Sequence, residues 1–386
     1  MGDCVRSPHP QGPVPTAHAA ETIAPEVIAM PFSKAKAADA ELGLDTFGDV
    51  SVGPDGELLH HAEVIRNVIE QGILADEVGV TVFGIGEHHR ADYAISNPAV
   101  VLAAIASRTK NIKLTSSVTV LSADDPVRVW EKYATLNAIS HGRAEVIVGK
   151  GSFSDTFPLF GLNLEDYDRL FSEKIDLWSL LLKESPITWS GTSRAPITET
   201  SVFPRTENGL RSWMAASGNP NSVMRAARYG IPLMLAAIAG DPKQFKSFVD
   251  LYHTANARFG HGHLPMGVHA PGFVARTDDE AHDIFMKHWI DASRAHAHNL
   301  IGRPVDVESI NEERYFTEVR EGSLFVGSPD TVATKIASLI EHLGLNRFVL
   351  KYTEGAVPHD ALMDCIRLYG TEVMPRVRAI LQETPE

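Results

Sequence analysis

Short apolar runs of β-forming residues alternate with longer amphipathic segments along most of the chain. This alternation predicts repeated strand–helix units and a parallel sheet. There are eight such runs, and eight strands close a (β/α)8 barrel. The predicted strands cover residues 42–47, 81–85, 112–121, 144–148, 212–216, 232–236, 266–274 and 347–352.

The segments between these runs have helical spacing. In residues 60–78 the apolar side chains fall on one stripe, and at Pro98 and Pro126 a proline stands at the first helical position. The rival fold is an open doubly wound sheet, which usually carries G-x-G-x-x-G after its first strand. Residues 48–53 read Gly-Asp-Val-Ser-Val-Gly and lack that fingerprint. The sequence therefore favours an α/β class fold with a single closed TIM barrel.

Three segments depart from the regular repeat. Residues 185–205 have strand and turn features and are predicted to be an insertion. Residues 277–327 are too long for an ordinary connection, and we expect helices plus a mobile part that forms a lid. We expect the barrel domain to span residues 36–386 and residues 1–35 to be a disordered extension. The N-terminal stretch lacks a basic region followed by an apolar one, so it does not match a secretory signal.

Charge and cysteine content exclude several classes of function. The net charge of −14 argues against binding to nucleic acid or to an anionic membrane. No run approaches the roughly 20 apolar residues of a membrane span. The two cysteines, Cys4 and Cys365, are far apart and fit neither a zinc motif nor a disulfide framework. We therefore expect a cytoplasmic protein without a bound metal.

The sequence Glu87-His88-His89 follows the second predicted strand. In a parallel barrel the carboxyl ends of the strands face the active site, and a histidine there titrates near neutrality. A histidine that only caps the next loop is the alternative. The sequence alone leaves both interpretations open.

Two glycine-containing segments indicate an anion site. Lys150 stands between Gly149 and Gly151 after the fourth strand, where a ligand can approach the backbone and a phosphate can pair with the ammonium group. After the fifth strand, residues 217–222 read Ser-Gly-Asn-Pro-Asn-Ser and precede a helix. Free N–H groups at a helix start bind anions, although simple N-capping needs the same residue types.

Other polar residues give weaker signals. Residues 115–119 form a polar run in the third strand, which suggests either a flat ligand against that backbone or tolerance within a barrel layer. No serine lies in a G-x-S-x-G elbow, which argues against serine hydrolysis. Six later histidines match no metal motif and are predicted to lie on the surface or in the lid: His261, His263, His282, His288, His296 and His298.

Taken together, residues 42–374 resemble the luciferase-like flavin-dependent monooxygenase family. No single motif is specific, and the resemblance depends on their order and spacing. The motifs are residues 86–89 (GEHH), 97–98 (NP), 116–121 (SSVTVL), 125–128 (DPVR), 141–145 (HGRAE), 149–153 (GKGSF), 160–161 (FG), 217–220 (SGNP) and 325–329 (FVGSP).

This resemblance implies a barrel that binds reduced FMN (FMNH2) at the carboxyl ends of its strands, usually as a homodimer. In similar proteins the first histidine of the motif, here His88, lies near the flavin. A non-proline cis peptide often supports the ring and would join Ser117 to Val118. An aromatic residue commonly packs near the flavin, and Phe153 has that position.

The same resemblance assigns the flavin phosphate to Lys150, Asn219 and Ser222, beside the backbone of Gly151 and Gly218. The family usually has arginine where Lys150 stands, and lysine offers a point charge instead of a two-pronged donor. Three further residues are expected to line the pocket: Asp49, Glu87 and His89.

The implied reaction is that of a two-component monooxygenase. A separate flavin reductase supplies FMNH2, which reacts with O2 to give a C4a-peroxyflavin that inserts one oxygen atom into a small organic substrate. In the runner-up hypothesis, deazaflavin F420 replaces FMN and the enzyme transfers hydride. A third hypothesis is a flavin-binding protein without turnover. The sequence separates the two cofactors poorly.

Overall fold

The structure is a computed structural model that describes residues 38–301 and 305–383. It confirms the predicted barrel, and all eight predicted strands are present. The predicted extension 1–35 and Cys4 lie outside the described residues. The strands are β1 (Glu41–Thr46), β2 (Val82–Ile85), β3 (Lys113–Ser116), β4 (Thr119–Val120), β5 (Glu145–Gly149), β6 (Ile187–Trp189), β7 (Ile197–Thr200), β8 (Arg211–Ala216), β9 (Leu233–Ala236), β10 (Met266–Val274), β11 (Phe325–Gly327) and β12 (Arg347–Lys351).

The barrel strands pair in parallel, in the order β3-β2-β1-β12-β10-β9-β8-β5-β4. β3 and β4 are two halves of the third predicted strand. β3 pairs with β2 and β4 pairs with β5, while a bridge joins Leu114 to Ala144. The interrupted strand therefore connects the two ends of the sheet and closes the barrel.

Helices cover the outside of the barrel and bury their apolar stripes against it. The predicted C-terminal helix 359–380 is divided by a π-turn at Tyr369–Val373, and the helix Pro329–Leu343 was not predicted. The helices are His61–Glu77, Pro98–Ala106, Pro126–Ile139, Thr156–Leu159, Tyr167–Leu181, Pro220–Tyr229, Lys246–Arg258, Asp278–His296, Glu312–Arg320, Pro329–Leu343, His359–Leu368 and Met374–Glu383.

The barrel interior follows the two-residue period of its strands. Ile147, Trp213, Met234 and Val349 pack together as a cluster separate from the main core. Glycines leave room for the side chains inside: a Cβ atom on Gly84 would lie 2.8 Å from the Cβ atom of Asp45. Alternate residues of each strand therefore fill the barrel, which is packed and is not a pore.

A cluster of charged side chains fills the amino end of the barrel. Arg347 is fully buried, and its Nε atom donates to Oε2 of Glu41 at 2.7 Å. Its Nη1 atom donates to Oε2 of Glu145, also at 2.7 Å. Arg211 donates to both carboxylates, and the Trp213 indole donates to Glu145. These groups satisfy one another where the barrel is closed.

Both long insertions contain regular structure among the described residues. Residues 185–205 contain the antiparallel hairpin β6–β7, as their strand and turn features predicted. In residues 277–327 the hydroxyl of Thr277 accepts the N–H of Glu280 at 3.1 Å and starts the helix Asp278–His296. The helix Glu312–Arg320 and strand β11 follow, and β11 pairs with the far end of β10.

Within residues 38–301 and 305–383, every helix is too short or too polar to cross a lipid bilayer.

Candidate active site

His88 lies at the carboxyl end of the barrel among three aromatic rings. Its ring centroid is 4.6 Å from that of Phe47, 4.4 Å from that of Tyr93 and 5.2 Å from that of Phe153. Gly86 permits this packing, because a Cβ atom there would lie 2.4 Å from the Phe47 ring. The structure thus brings together His88 and Phe153, which the sequence had placed at the ends of different strands.

His88 is uncharged at neutral pH. Burial lowers its pKa to about 3, and the nearby side chains of Lys351 and His296 act in the same direction. A neutral imidazole has one N–H donor and one acceptor nitrogen. No hydrogen bond joins these nitrogens to another of the described residues, so both can serve a ligand.

The two neighbours of His88 support the adjacent strand. The Glu87 carboxylate accepts a hydrogen bond from Nε2 of His89 at 3.0 Å through one oxygen. Its other oxygen accepts the backbone N–H of Val120 at 3.0 Å. Glu87 and His89 therefore hold the turn that carries His88 against β4.

The peptide bond between Ser117 and Val118 is cis, as the resemblance implied. This bond separates β3 from β4 and lies against the loop 149–153. A Cβ atom on Gly149 would be 2.8 Å from Cγ2 of Val118, and one on Gly151 would be 2.9 Å from Cγ1 of Val120. Gly151 also has a φ angle of +83°, which glycine adopts without strain.

On the other side of this loop, Lys150 and Arg225 lie beside the Phe171 ring and form a group that we call the cationic corner. Its ammonium group is hydrogen-bonded to the Asp168 carboxylate and lies 5.9 Å from the ring centroid of Phe171. The guanidinium carbon of Arg225 lies 5.5 Å from the same ring. Nη2 of Arg225 donates to Ser172, whereas Nη1 is buried and has no partner among the described residues.

The helix Pro220–Tyr229 carries Arg225 and starts beside the predicted anion site. The side-chain oxygen of Asn219 accepts the N–H of Asn221 at 2.9 Å, so Asn219 is an N-cap. Gly218 has a φ angle of +92°, and Ser222 is buried in the first turn. Sequence reasoning missed Arg225, although it follows the predicted motif by only one helical turn.

Asp49 lies in a buried polar network near the end of β12. Its carboxylate accepts hydrogen bonds from the Thr353 hydroxyl at 2.6 Å and from the backbone of Gly355 at 3.1 Å. Burial lowers the pKa of Lys351, but the carboxylates of Asp49 and Glu354 outweigh burial and raise it. Lys351 therefore remains a cation, and its Nζ atom lies 4.7 Å from the ring centroid of Phe47.

Two buried polar residues inside the strands were also missed. Nδ1 of His269, on β10, lies 2.8 Å from Oδ2 of Asp45, on β1. The same oxygen accepts the hydroxyl hydrogen of Ser117. The His269 ring stacks on Phe47 with the centroids 5.9 Å apart. Polar residues inside otherwise apolar strands were the available signal.

The insertion after β10 reaches into this mouth. Nε2 of His296 lies 2.9 Å from Oδ2 of Asp92 and 3.2 Å from the Tyr93 hydroxyl, and the His296 side chain is only 12% exposed. The backbone of residues 299–301 is hydrogen-bonded to residues 152 and 154. His296 was predicted to lie on the surface or in the lid; it lies in the predicted lid segment, and its side chain is packed into the candidate site.

These features define a closed barrel whose carboxyl mouth has an aromatic wall on one side and a cationic corner on the other. A model of the luciferase-like monooxygenase family matches residues 46–347, which is more than half of the chain. The protein therefore belongs to the luciferase-like monooxygenase family.

A curated relative and three solved structures extend the comparison. The N-acetyl-S-alkylcysteine monooxygenase of Bacillus subtilis (strain 168) is 26% identical over 322 residues, which cover 78% of this chain and 90% of the relative. The monooxygenase RslO1 from Streptomyces bottropensis superposes with a TM-score of 0.73 at 23% identity, covering 87% of this chain and 99% of that one.

Two further structures contain different cofactors. The oxygenating constituent of 3,6-diketocamphane monooxygenase from Pseudomonas putida, in complex with FMN, gives a TM-score of 0.68 at 21% identity. An F420-dependent secondary alcohol dehydrogenase with an F420–acetone adduct gives 0.68 at 16% identity. Each alignment covers 88% of this chain and 99% of the other. Because their sequence identities to this chain are low, the three structures establish only that the fold is shared.

Proposed function

We propose that the protein is a monooxygenase that uses reduced FMN and O2 to oxygenate a small organic substrate. One observation carries the proposal: the loop 149–153 contacts both ends of the mouth. Phe153 packs against neutral His88, and Lys150 lies in the cationic corner. A planar ring with a phosphate tail matches an aromatic wall at one end and cations at the other.

The chain offers groups that fit each part of FMN. The orphaned Nη1 of Arg225, the Lys150 ammonium and the start of the helix Pro220–Tyr229 suit the phosphate. The cis peptide Ser117–Val118, held against the glycines of the loop 149–153, is the part of the backbone that we assign to the ring. Arg225 supplies the two-pronged cation that lysine at position 150 does not.

Reduced flavin, when bound, supplies the activation of O2, and the chain supplies orientation and exclusion of water. In this proposal His88 offers a neutral hydrogen-bond donor and acceptor to the reacting oxygen atoms. The described part of the segment 277–327 acts as a lid, because His296 and residues 299–301 cover the mouth. A separate reductase delivers the reduced flavin, since no dinucleotide fingerprint follows β1.

Anaerobic titration with reduced FMN and reduced F420, followed by rapid mixing with O2, tests this function. We expect tight binding of reduced FMN and oxidation of the bound flavin more slowly than in free solution. His88→Ala should retain flavin binding and lose oxygenation of substrate. Binding of F420 alone, with hydride transfer, would replace the proposal by the deazaflavin alternative. Flavin binding without turnover in a broad substrate screen would favour a binding protein.

A further inference from the structure

We propose that a cavity between the loop after β4, the helix Tyr167–Leu181 and the hairpin β6–β7 binds a small monocarboxylate with a short apolar chain. This inference goes beyond the proposed oxygenase function, because none of the residues that line the cavity belongs to the aromatic wall or to the cationic corner. The cavity has a volume of about 200 Å³. Its polar lining includes Lys174, on the helix, and Ser193, in the turn of the hairpin.

Lys174 brings a positive charge to the cavity that the surrounding side chains do not balance. The residue is only 7% exposed, and its Nζ atom donates to the backbone carbonyl of Ser122 at 2.7 Å. Among residues 38–301 and 305–383, no carboxylate forms an ion pair with Lys174. The three carboxylates that act on its charge each have another cation, in the pairs Asp124–Lys132, Asp125–Arg194 and Glu173–Arg169. An anion in the cavity would be the counter-ion of Lys174.

The hydrogen bonds of Lys174 are incomplete as well. An ammonium group has three N–H donors, and the Ser122 carbonyl accepts one of them. Lys335, by contrast, donates to three backbone carbonyl groups, which is what a lysine that only supports the structure needs. Burial lowers the pKa of Lys174, and its neighbouring carboxylates raise it by a smaller amount. A bound carboxylate would supply both an acceptor and the opposing charge.

The turn of the hairpin presents a second polar group at a fixed position. The Ser193 hydroxyl is buried and has no hydrogen-bond partner among the described residues. The backbone N–H of Ser193 donates to Oε2 of Glu173, on the helix, at 2.8 Å. The next residue, Arg194, donates from Nη1 to both carboxylate oxygens of Asp125 at 3.0 Å. The hairpin is therefore held against both neighbouring elements, and its hydroxyl is a suitable donor to a carboxylate oxygen.

The remaining walls and the size of the cavity select the class of ligand. Leu162, Leu177 and Trp189 supply apolar surface, which suits the carbon chain of an organic acid better than a bare inorganic anion. A volume of about 200 Å³ equals that of about seven water molecules at about 30 Å³ each, and a carboxylate of four carbons has a similar number of heavy atoms. Asp125 also lines the cavity, so a dianion such as phosphate would be repelled while Lys174 balances a single charge.

Calorimetric titration of the full chain with butyrate at pH 7 tests the site, with 1-butanol as the uncharged probe and inorganic phosphate as the more highly charged one. We expect saturable binding of butyrate by the wild type, and binding of the other two probes that is weaker by about tenfold or more. Lys174→Met should weaken butyrate binding by about tenfold, and Ser193→Ala by about threefold. The matched control is Lys183→Met, at an exposed position just beyond the same helix, which should bind butyrate as the wild type does.

Three calorimetric results would overturn the proposal: no saturable binding of butyrate, equal affinities of the wild type and Lys174→Met, or binding of 1-butanol or phosphate as tight as that of butyrate. Nuclear Overhauser effects between the butyrate methyl group and the Trp189 ring locate the ligand without any variant. Such effects to residues outside the cavity lining, and none to Trp189, would also overturn it. Because neither readout uses flavin or O2, failure of the oxygenase function would leave both results unchanged.

Discussion

His296 and Asp92 are joined by a 2.9 Å hydrogen bond across 204 positions of sequence, and it ties the helix Asp278–His296 to the loop after β2. Burial raises the pKa of Asp92, but hydrogen bonds from His296 and Arg90 outweigh burial and hold it well below its ordinary value. The contact is mostly shielded on the histidine side, where 12% of the side chain is exposed. It therefore fastens the segment that covers the mouth.

His296→Leu should loosen this segment. Without the imidazole, the hydrogen bond to Asp92 is lost while apolar contact with Phe153 is kept. We expect amide hydrogen exchange of residues 296–301 to accelerate by about tenfold, which corresponds to about 1.4 kcal/mol. His298→Leu is the control, since that residue is exposed. Unchanged exchange in His296→Leu would show that the backbone pairing alone holds the segment.

Binding of the flavin phosphate should depend on Arg225. Arg225→Met keeps a flexible side chain at this position and removes the guanidinium group that lies over the Phe171 ring. We expect FMN to bind about tenfold more weakly or worse, and riboflavin, which has no phosphate, to bind as in wild type. Fluorescence titration measures both. Arg228→Met, on the exposed side of the same helix, is the matched control, and equal loss for FMN and riboflavin would contradict a phosphate role.

His88 should not titrate between pH 5 and pH 8, because its pKa lies at about 3. The unfolded chain has a histidine pKa of about 6.5, so it binds more protons than the folded chain between pH 3 and 6.5. His88 therefore makes the folded state less stable as the pH falls through this window. Proton NMR of the imidazole, assigned with His88→Asn, follows the titration directly. A midpoint near 6.5 would disprove the buried, neutral state.

Removal of Arg347 should strongly destabilise the barrel. Arg347→Met leaves the carboxylates of Glu41 and Glu145 without their buried cation, at a cost of about 3–5 kcal/mol. Arg211→Met removes a cation that is 37% exposed from the same carboxylates and should cost less than about 1 kcal/mol. Urea unfolding at pH 7 compares the two. Similar losses in the free energy of unfolding for the two variants would mean that the cluster is more hydrated than its burial implies.

The same charged cluster predicts that the stability of the folded state decreases at low pH. Burial raises the pKa of Glu41, but Arg347, Lys113 and Arg211 outweigh burial and lower it to about 2. Since the unfolded value is 4.5, the stabilisation from Glu41 is complete above pH 4.5 and is lost as the pH falls to about 2. Acid unfolding midpoints of wild type and Glu41→Gln measure this contribution, and equal midpoints would contradict it.

The barrel could be predicted because its strands are continuous apolar runs. Site residues at strand ends, such as His88 and Lys150, could also be singled out, since the carboxyl ends of parallel strands converge. Asp45, His269 and Lys351 stand out in the sequence only as polar residues inside apolar strands. Their inward orientation could not be predicted, because the face of a single strand that points inward is set by its neighbours. Arg225 was missed, and the contacts of His296 were not predicted, for a different reason: their partners are distant in sequence, and no local pattern encodes those contacts.

The charged cluster around Arg347 also affects the order in which ligands bind and leave. Because mutually satisfied ions fill the amino end of the barrel among the described residues, we expect ligands to enter at the carboxyl mouth. A cofactor seated against Ser117–Val118 would lie deeper than a substrate beneath the segment tied by His296. We therefore expect ordered binding and release: the flavin binds before the substrate, and the product leaves before the flavin.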